Sequence, residues 1–551
     1  MRANLPPRAE LVWALSLIGL LGLPLALATW AALVSALDVA AWRAMARDHQ
    51  TWRALGLSVW TGLAATVLST GLAAWILARS FPGPGWSRMV GLLGPMLAVP
   101  HAAFAIGLVF LISPSGWLLR AVSPWASGFD MPPPWTTTQD PWGAGLIVVL
   151  VAKEVPFLLW AAASHLQRAD VAQRLARELQ VARSLGYAAG TAWWRVLWPQ
   201  LWPRLRWPML AVLVYGITVV DVGLVIGPGA PPTLAVLAWG WLLDADPATN
   251  AQGAAAAWLL ACTLALVAAL LWQFPRLPLW RTRRTSGQRG VVHRVHGAPT
   301  GALGVTMLTV VYLAVMLALA VGSVSGVWPF PALLPQTFSG NAWASVWHSA
   351  GTVATTLTLG LASAAAALSW SVAWLETAPA RWDAWLRRVI YLPLVLPSVL
   401  WVIGIHAATL RFGLDASWSG LWLAHSLAAV PYVLIALSPA YTGFDPRYRL
   451  VAATLGHGRA YFLWRVKWPL LRAALASALA VGFAVSVAQY LPTLFVGAGR
   501  YSTVTTEAVT LASGAQRSLT SAYAWLQWLL PVLGFALAAR AGRPRRFQPD
   551  D

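Results

Sequence analysis

Charge is what this 551-residue chain has least of: Asp, Glu, Lys and Arg make up 10% of it, whereas a soluble domain carries roughly 25%. That shortage excludes an ordinary water-soluble protein, and the 58% hydrophobic content points to an integral membrane protein. Cysteine is nearly absent, and the single Cys262 excludes an intramolecular disulfide framework. No long run alternates apolar and polar residues as barrel strands do, so the expected fold is all-α. Nor is there a Gly-rich phosphate loop ending in Gly-Lys-Ser/Thr, a zinc motif, a nucleophile elbow or a catalytic carboxylate pair. No enzymatic activity, catalytic residue, metal or cofactor is therefore expected of the chain itself. His293 and His296 have no partner ligands and read as loop residues.

What the sequence does have is long apolar runs. A membrane span needs about 20 such residues, and twelve stretches qualify, at about 11–37, 53–79, 88–112, 143–165, 208–229, 252–274, 302–326, 347–375, 387–411, 418–441, 473–497 and 522–540. Six precede a basic linker at 276–301 and six follow it, which predicts two membrane domains, 1–275 and 302–551. The first run follows Arg2 and Arg8 as a signal peptide would, but its length of about 27 residues exceeds the usual apolar core of one, and it reads as an uncleaved span. With the N-terminus in the cytoplasm, the loops on that side hold 30 Lys and Arg against seven on the other. This positive-inside bias places both termini and the linker in the cytoplasm. Because the net charge of +20 is spread over every inner loop, it reads as topology and not as a nucleic-acid surface. Trp42, Trp52, Trp86, Trp280, Trp343 and Trp347 lie near span ends, as interfacial anchors do.

Two basic loops carry one pattern. RELQVARSLGYAAGTAWWRVLWPQLWPRL starts at Arg177 and RYRLVAATLGHGRAYFLWRVKWPLLRAAL at Arg447; they agree at Ala182/Ala452, Leu185/Leu455, Gly186/Gly456, Trp194/Trp464, Val196/Val466, Trp198/Trp468 and Pro199/Pro469, among others. Further anchors match: Pro100/Pro397, Gly107/Gly404, and Val155-Pro156-Phe157 with Val430-Pro431-Tyr432. One six-span unit has been duplicated in parallel orientation. Within each loop, an amphipathic helix, a Gly free to take positive φ and a second helix make a helix–turn–helix elbow. Apolar residues on so basic a loop need cover, from a partner protein or from anionic lipid.

The loop, with its small-residue pair, Leu-Gly and downstream Pro, resembles the signature loop of binding-protein-dependent ABC importer permeases. Two copies in one chain are similar to the fused double permeases of iron(III), thiamine and Ynj-type systems, and the long segment before VAKEVPFLLW is most like the Ynj type. The Glu that opens the family motif is Gln180 in one copy and Leu450 in the other, with Glu178 out of register. The resemblance implies two tandem type I permease repeats of the bacterial inner membrane and an ATPase-docking loop at about 177–205 and again at about 447–475. It carries docking roles onto Gln180, Ala182, Leu185, Gly186, Val196 and Pro199, and onto Ala452, Leu455, Gly456, Val466 and Pro469. Two ABC ATPase subunits and a periplasmic solute-binding protein are the implied partners. The alternative is a twelve-helix secondary transporter coupled to protons or sodium.

Ionisable groups within spans are costly, at roughly 2.5–3.5 kcal/mol each near the bilayer centre, and so face an interior or a cavity. Lys153 and Glu154 fall in the fourth stretch and Asp221 in the fifth; the second half has Ala428, Ala429 and, near the place of Asp221, Gln489. Glu154, Asp221 and Gln489 are the candidates to line a translocation path, with helix packing as the alternative. The Pro- and Trp-rich outer segment 113–142 either touches the binding protein or caps the outer mouth.

Overall fold

The computed structural model describes residues 7–83, 85–167, 169–273, 300–391, 394, 396–514 and 516–543; nearly all of the 276–301 linker lies outside them. The regular structure of the described residues is helical, with one isolated antiparallel bridge between Ser325 and Phe338 and irregular stretches such as 123–143. Helices are the solution open to single apolar segments in lipid, because each backbone N–H and C=O is satisfied within the segment.

Among the described residues nine helical stretches are long and apolar enough to cross a membrane, from Val12–Ser35 to Arg517–Gly542. Of the twelve expected stretches, 88–112 is divided into Trp86–Leu97 and His101–Ile112, the latter within the span His101–Val122, and 208–229, 387–411 and 473–497 are shorter or interrupted helices. Of these last three, the first is Trp198–Thr218 followed by Asp221–Ile226, the second contributes Ser398–Arg411, and the third is Arg472–Val487 followed by Leu491–Gly497. Interruptions fall at matched places in the two copies, as they do where broken helices line a path. Matched hydroxyls hold them: Ser58 Oγ accepts from the Leu234 N–H at 2.9 Å, and Thr356 Oγ1 accepts from the Val504 N–H at 2.9 Å. Each caps the short helix of its own copy, Leu234–Leu242 or Val504–Ala512.

The compact units are not the halves 1–275 and 302–551. One unit comprises residues 1–37 with 341–551, and the other residues 38–340. The first span, Pro7–Ser35, thus packs with the second repeat, against Ser398–Arg411 and Ala350–Thr377. The seventh span, Thr300–Ser323, packs with the first repeat, against His101–Ile112 and Thr51–Ser80. The matched glycines explain the exchange. A Cβ at Gly404 would stand 2.2 Å from the Ala28 carbonyl oxygen, and one at Gly107 would stand 2.7 Å from a Val315 methyl and 2.9 Å from the Val315 carbonyl oxygen. Each glycine therefore admits the backbone of the exchanged span. Trp370 adds a hydrogen bond from its indole N–H to the Leu17 carbonyl at 3.1 Å.

Candidate functional site

Both elbows end their first helix in the same way. After Ala169–Ser184, Gly186 takes φ +87°, its N–H donates to the Arg183 carbonyl at 2.9 Å, and the Tyr187 N–H donates to the Ala182 carbonyl at 3.1 Å. After Arg447–Thr454, Gly456 takes φ +79°, with Gly456 N–H to Ala453 at 3.0 Å and His457 N–H to Ala452 at 2.9 Å. This is the Schellman motif, in which the left-handed residue after the cap is almost always Gly. Ala182 and Ala452 are both buried at the receiving carbonyl, which accounts for the small residue there. The chain then widens into a π-helical turn, Trp193–Leu197 or Phe462–Lys467, and Pro199 or Pro469 opens the returning helix where a missing N–H costs nothing.

The same apolar side chains stand out into solvent on both elbows. Val181 and Leu185 are 58% and 57% exposed, and their counterparts Val451 and Leu455 are 57% and 68%. Trp194 and Trp464 are also exposed, whereas Val196 and Val466 are half-buried. Gln180 lies on the exposed face beside Val181. Glu178, out of register with the family motif, is engaged internally: it accepts from Gln200 Nε2 at 2.6 Å and sits 3.8 Å from Arg174.

The intramembrane residues gather in the unit 38–340. Glu154 Oε1 lies 3.2 Å from His101 Nε2, and the His101 ring meets Tyr215 at a tilt of 51°, centroids 4.5 Å apart. Glu154 is buried, while the His101 side chain is 33% exposed. Asp221 starts the short helix Asp221–Ile226. Sequence reading missed His101 and Tyr215; a His directly after the matched Pro100 was the available signal. Lys153 serves packing: its Nζ donates to the Met96 carbonyl at 3.1 Å and to the Val99 carbonyl, closing the helix end left open before Pro100. The Tyr312 ring lies 5.5 Å from the same ammonium.

Gln489 is not the counterpart of Asp221. The Leu224 N–H donates to Val220 and the Leu494 N–H to Tyr490, a register that sets Asp221 opposite Leu491 and Gln489 opposite Val219. A short helix starts at Asp221 in one copy and at Leu491 in the other, so the two polar residues differ by two positions. In the second copy the buried polar group is instead His425, between Ser486 Oγ at 2.8 Å and Thr493 Oγ1 at 3.0 Å.

The segment 113–142 is held by Arg120, which is buried. Its guanidinium donates to the carbonyls of Ser115, Pro329, Ala332 and Trp328 at 2.7–3.2 Å and lies between the Trp328 and Phe330 rings. Trp125, Met131 and Trp142 of that segment stay exposed.

Duplicated spans, broken helices and paired elbows define an all-helical membrane transport protein. No family model matches the chain. It is 35% identical to the inner membrane ABC transporter permease protein YnjC of Escherichia coli K12, over 96% of this chain and 95% of that one. It is 26% identical to the thiamine transport system permease protein ThiP of Salmonella typhimurium, over 82% of this chain and 81% of that one. A shorter stretch, 21% of this chain and 48% of the other, is 36% identical to the molybdenum transport system permease protein ModB of Mycobacterium bovis. The chain belongs to the ABC transporter permease family. The reading as a proton- or sodium-coupled secondary transporter falls away with that membership.

Proposed function

We propose that this chain is the permease subunit of an ABC import system, carrying both transmembrane domains and forming the path for a small solute. Two separate ATPase subunits dock on the elbows, one around Gly186 and one around Gly456. A periplasmic binding protein delivers the solute to the outer face, where the segment held by Arg120 belongs. The relatives' names specify different solutes, thiamine and molybdenum, so likeness alone selects none for this chain.

The observation that carries this reading is the repetition of Val181, Leu185 and Trp194 as Val451, Leu455 and Trp464, exposed on identically capped elbows. Exposed apolar groups at fixed spacing mark a surface that a partner covers. A lipid-facing helix would need an apolar stripe but not the same turn twice. Glu154 and Asp221 are the groups of the first repeat that contact the passing solute, and Gln489 is the candidate in the second, two positions out of register with Asp221.

Cysteines at Leu185 and Leu455, in a Cys262→Ser background, should cross-link to the ATPase subunits of the assembled transporter. Cross-linking at neither position in an assembled complex overturns the docking assignment. Orientation is checked by reporter fusions: those at Gly297 and after Arg543 should read as cytoplasmic, and one at Ala248 as periplasmic.

A further inference from the structure

The second elbow is tied to the end of a membrane helix by a charged cluster. Glu376 stands in the last turn of Ala350–Thr377. Its Oε2 accepts from Lys467 Nζ at 2.7 Å and from the Tyr441 hydroxyl at 2.9 Å, and its Oε1 lies 3.5 Å from Arg459 Nη2. The Lys467 ammonium also lies over the Tyr441 ring at 3.9 Å, and the Trp468 indole N–H donates to the Tyr441 hydroxyl at 3.2 Å. Lys467 and Glu376 are only 12% and 15% exposed, so solvent screens this pair weakly. Arg459 and Lys467 belong to the elbow; Glu376 and Tyr441 belong to the helices above it.

The first repeat has none of the four. The elbow register sets Ala189 and Leu197 opposite Arg459 and Lys467. The Val155-Pro156/Val430-Pro431 register sets Leu166 opposite Tyr441, and the Ser58/Thr356 caps set Ala78 opposite Glu376. Leu166 and Leu197 are fully buried. One set of positions is therefore filled by apolar groups in one copy and by a carboxylate, an ammonium, a guanidinium and a phenol in the other.

The cluster also sits where the two elbows differ in shape. In the second, Arg459–Leu470 and Arg472–Val487 meet at a 75° bend, whereas in the first Trp198–Thr218 runs on as one helix. A bend has fewer intrahelical hydrogen bonds to fix its angle, so a side-chain tether must do it.

We propose that Glu376 is a positioning residue for the second ATPase seat: it sets the angle of the bent elbow through Lys467 and Arg459, so that this seat is held ionically and the first by apolar packing. The inference rests on the docking assignment above. Removing the carboxylate alone leaves two half-buried cations without their partner, which costs far more than removing the whole cluster.

The test uses the full chain, Cys262→Ser, assembled with its ATPase and binding protein in nanodiscs. With Glu376→Gln, cross-linking from Leu455→Cys to the ATPase should fall by about fivefold while that from Leu185→Cys stays unchanged. Stimulation of ATP hydrolysis by the binding protein should fall with it. Glu376→Asp should recover part of the loss. The variant Glu376→Ala/Tyr441→Leu/Arg459→Ala/Lys467→Leu, which installs the first repeat's residues, should recover most of it. Equal losses at both positions, or none at either, overturn the proposal, as does a quadruple variant that cross-links no better than Glu376→Gln. If the unsubstituted chain cross-links at neither position, the docking assignment fails and takes this inference with it. If that chain cross-links at both and Glu376→Gln changes nothing, the positioning role alone fails.

Discussion

At the first elbow the chain turns at Gly186, widens at Trp193–Leu197 and runs without interruption into the membrane helix Trp198–Thr218. At the second it turns at Gly456, widens at Phe462–Lys467, and then bends by 75° before Arg472–Val487. The first is stiffened by rings: Trp194 and Trp202 pack against Trp198 at 5.3 and 5.8 Å, and Trp193 stacks on it at 5.7 Å. Around the matched Trp468 the second keeps the Trp464 contact at 4.4 Å, adds His457 stacked on Tyr461 at 3.8 Å and Phe444 against Phe462 at 6.2 Å, and has besides these the ion pair of Lys467 with Glu376. The turn is the same in both, as the proposed docking of a partner on each elbow requires. The support behind the turn is free to diverge, because only its rigidity matters. Aromatic packing and a half-buried ion cluster are two means to that end, but they respond differently to salt and to single substitutions.

The largest expected effect falls on what the elbows share. Gly186→Pro and Gly456→Pro each demand φ near −65° where the chain sits at +87° or +79°, and each removes an N–H bonded to Arg183 or Ala453. Binding-protein-stimulated ATP hydrolysis should drop by more than about tenfold in both, with the chain still in the membrane. A normal rate in one variant would show that this elbow is dispensable, and the comparison would then be between a working seat and a vestige.

Next comes the exchange of spans. Gly404 faces a backbone oxygen that cannot move aside, whereas Gly107 meets the Val315 side chain first. Gly404→Ala should therefore destabilise more than Gly107→Ala, within the about 1–3 kcal/mol usual for overpacking. Thermal unfolding in detergent orders the two. Equal melting points would mean that both exchanged spans slide to make room, and that the packing units are looser than they stand here.

How much of this was legible beforehand depends on distance along the chain. The elbows were readable because Gly186 to Pro199 and Gly456 to Pro469 are local patterns, and a left-handed turn leaves few residue choices. Gly107 and Gly404 were visible as a match but without a cause, since their neighbours Val315 and Ala28 are remote in sequence. The exchange of the first and seventh spans left no trace, because one apolar helix reads much like another. The Glu376 cluster joins four residues from three separate segments, and no spacing announces it. Gln489 was set opposite Asp221 on polarity alone; the backbone register, with Leu491 in that place, overrides it.

That correction predicts unequal effects in the membrane. Asp221 opens the short helix Asp221–Ile226 at the break within a span, and Asp221→Asn should cut hydrolysis stimulated by solute-loaded binding protein by about threefold, because an ionisable group within a span is costly and so faces an interior or a cavity. Gln489→Ala, two positions out of register, should change it by less than about twofold. Equal losses would restore the paired arrangement and require both residues to meet the solute at one level.

The smallest effect is expected where the first elbow has a polar tie of its own. Gln200 Nε2 donates to Glu178 at 2.6 Å, and the second repeat has Leu470 at the place of Gln200. Glu178 is 37% exposed and keeps Arg174 at 3.8 Å, so water and the guanidinium take over when the amide is removed. Such a bond contributes about 0.5–1.5 kcal/mol before screening, and less at this exposure. The seat beneath it, Leu166, Leu197 and the tryptophans around Trp198, is untouched by the change. Gln200→Leu should therefore lower cross-linking from Leu185→Cys by less than about twofold. A loss as deep as that of Glu376→Gln at Leu455→Cys would mean that the first elbow also hangs on one hydrogen-bonded carboxylate. The two seats would then differ in the residues used and not in the force that holds them.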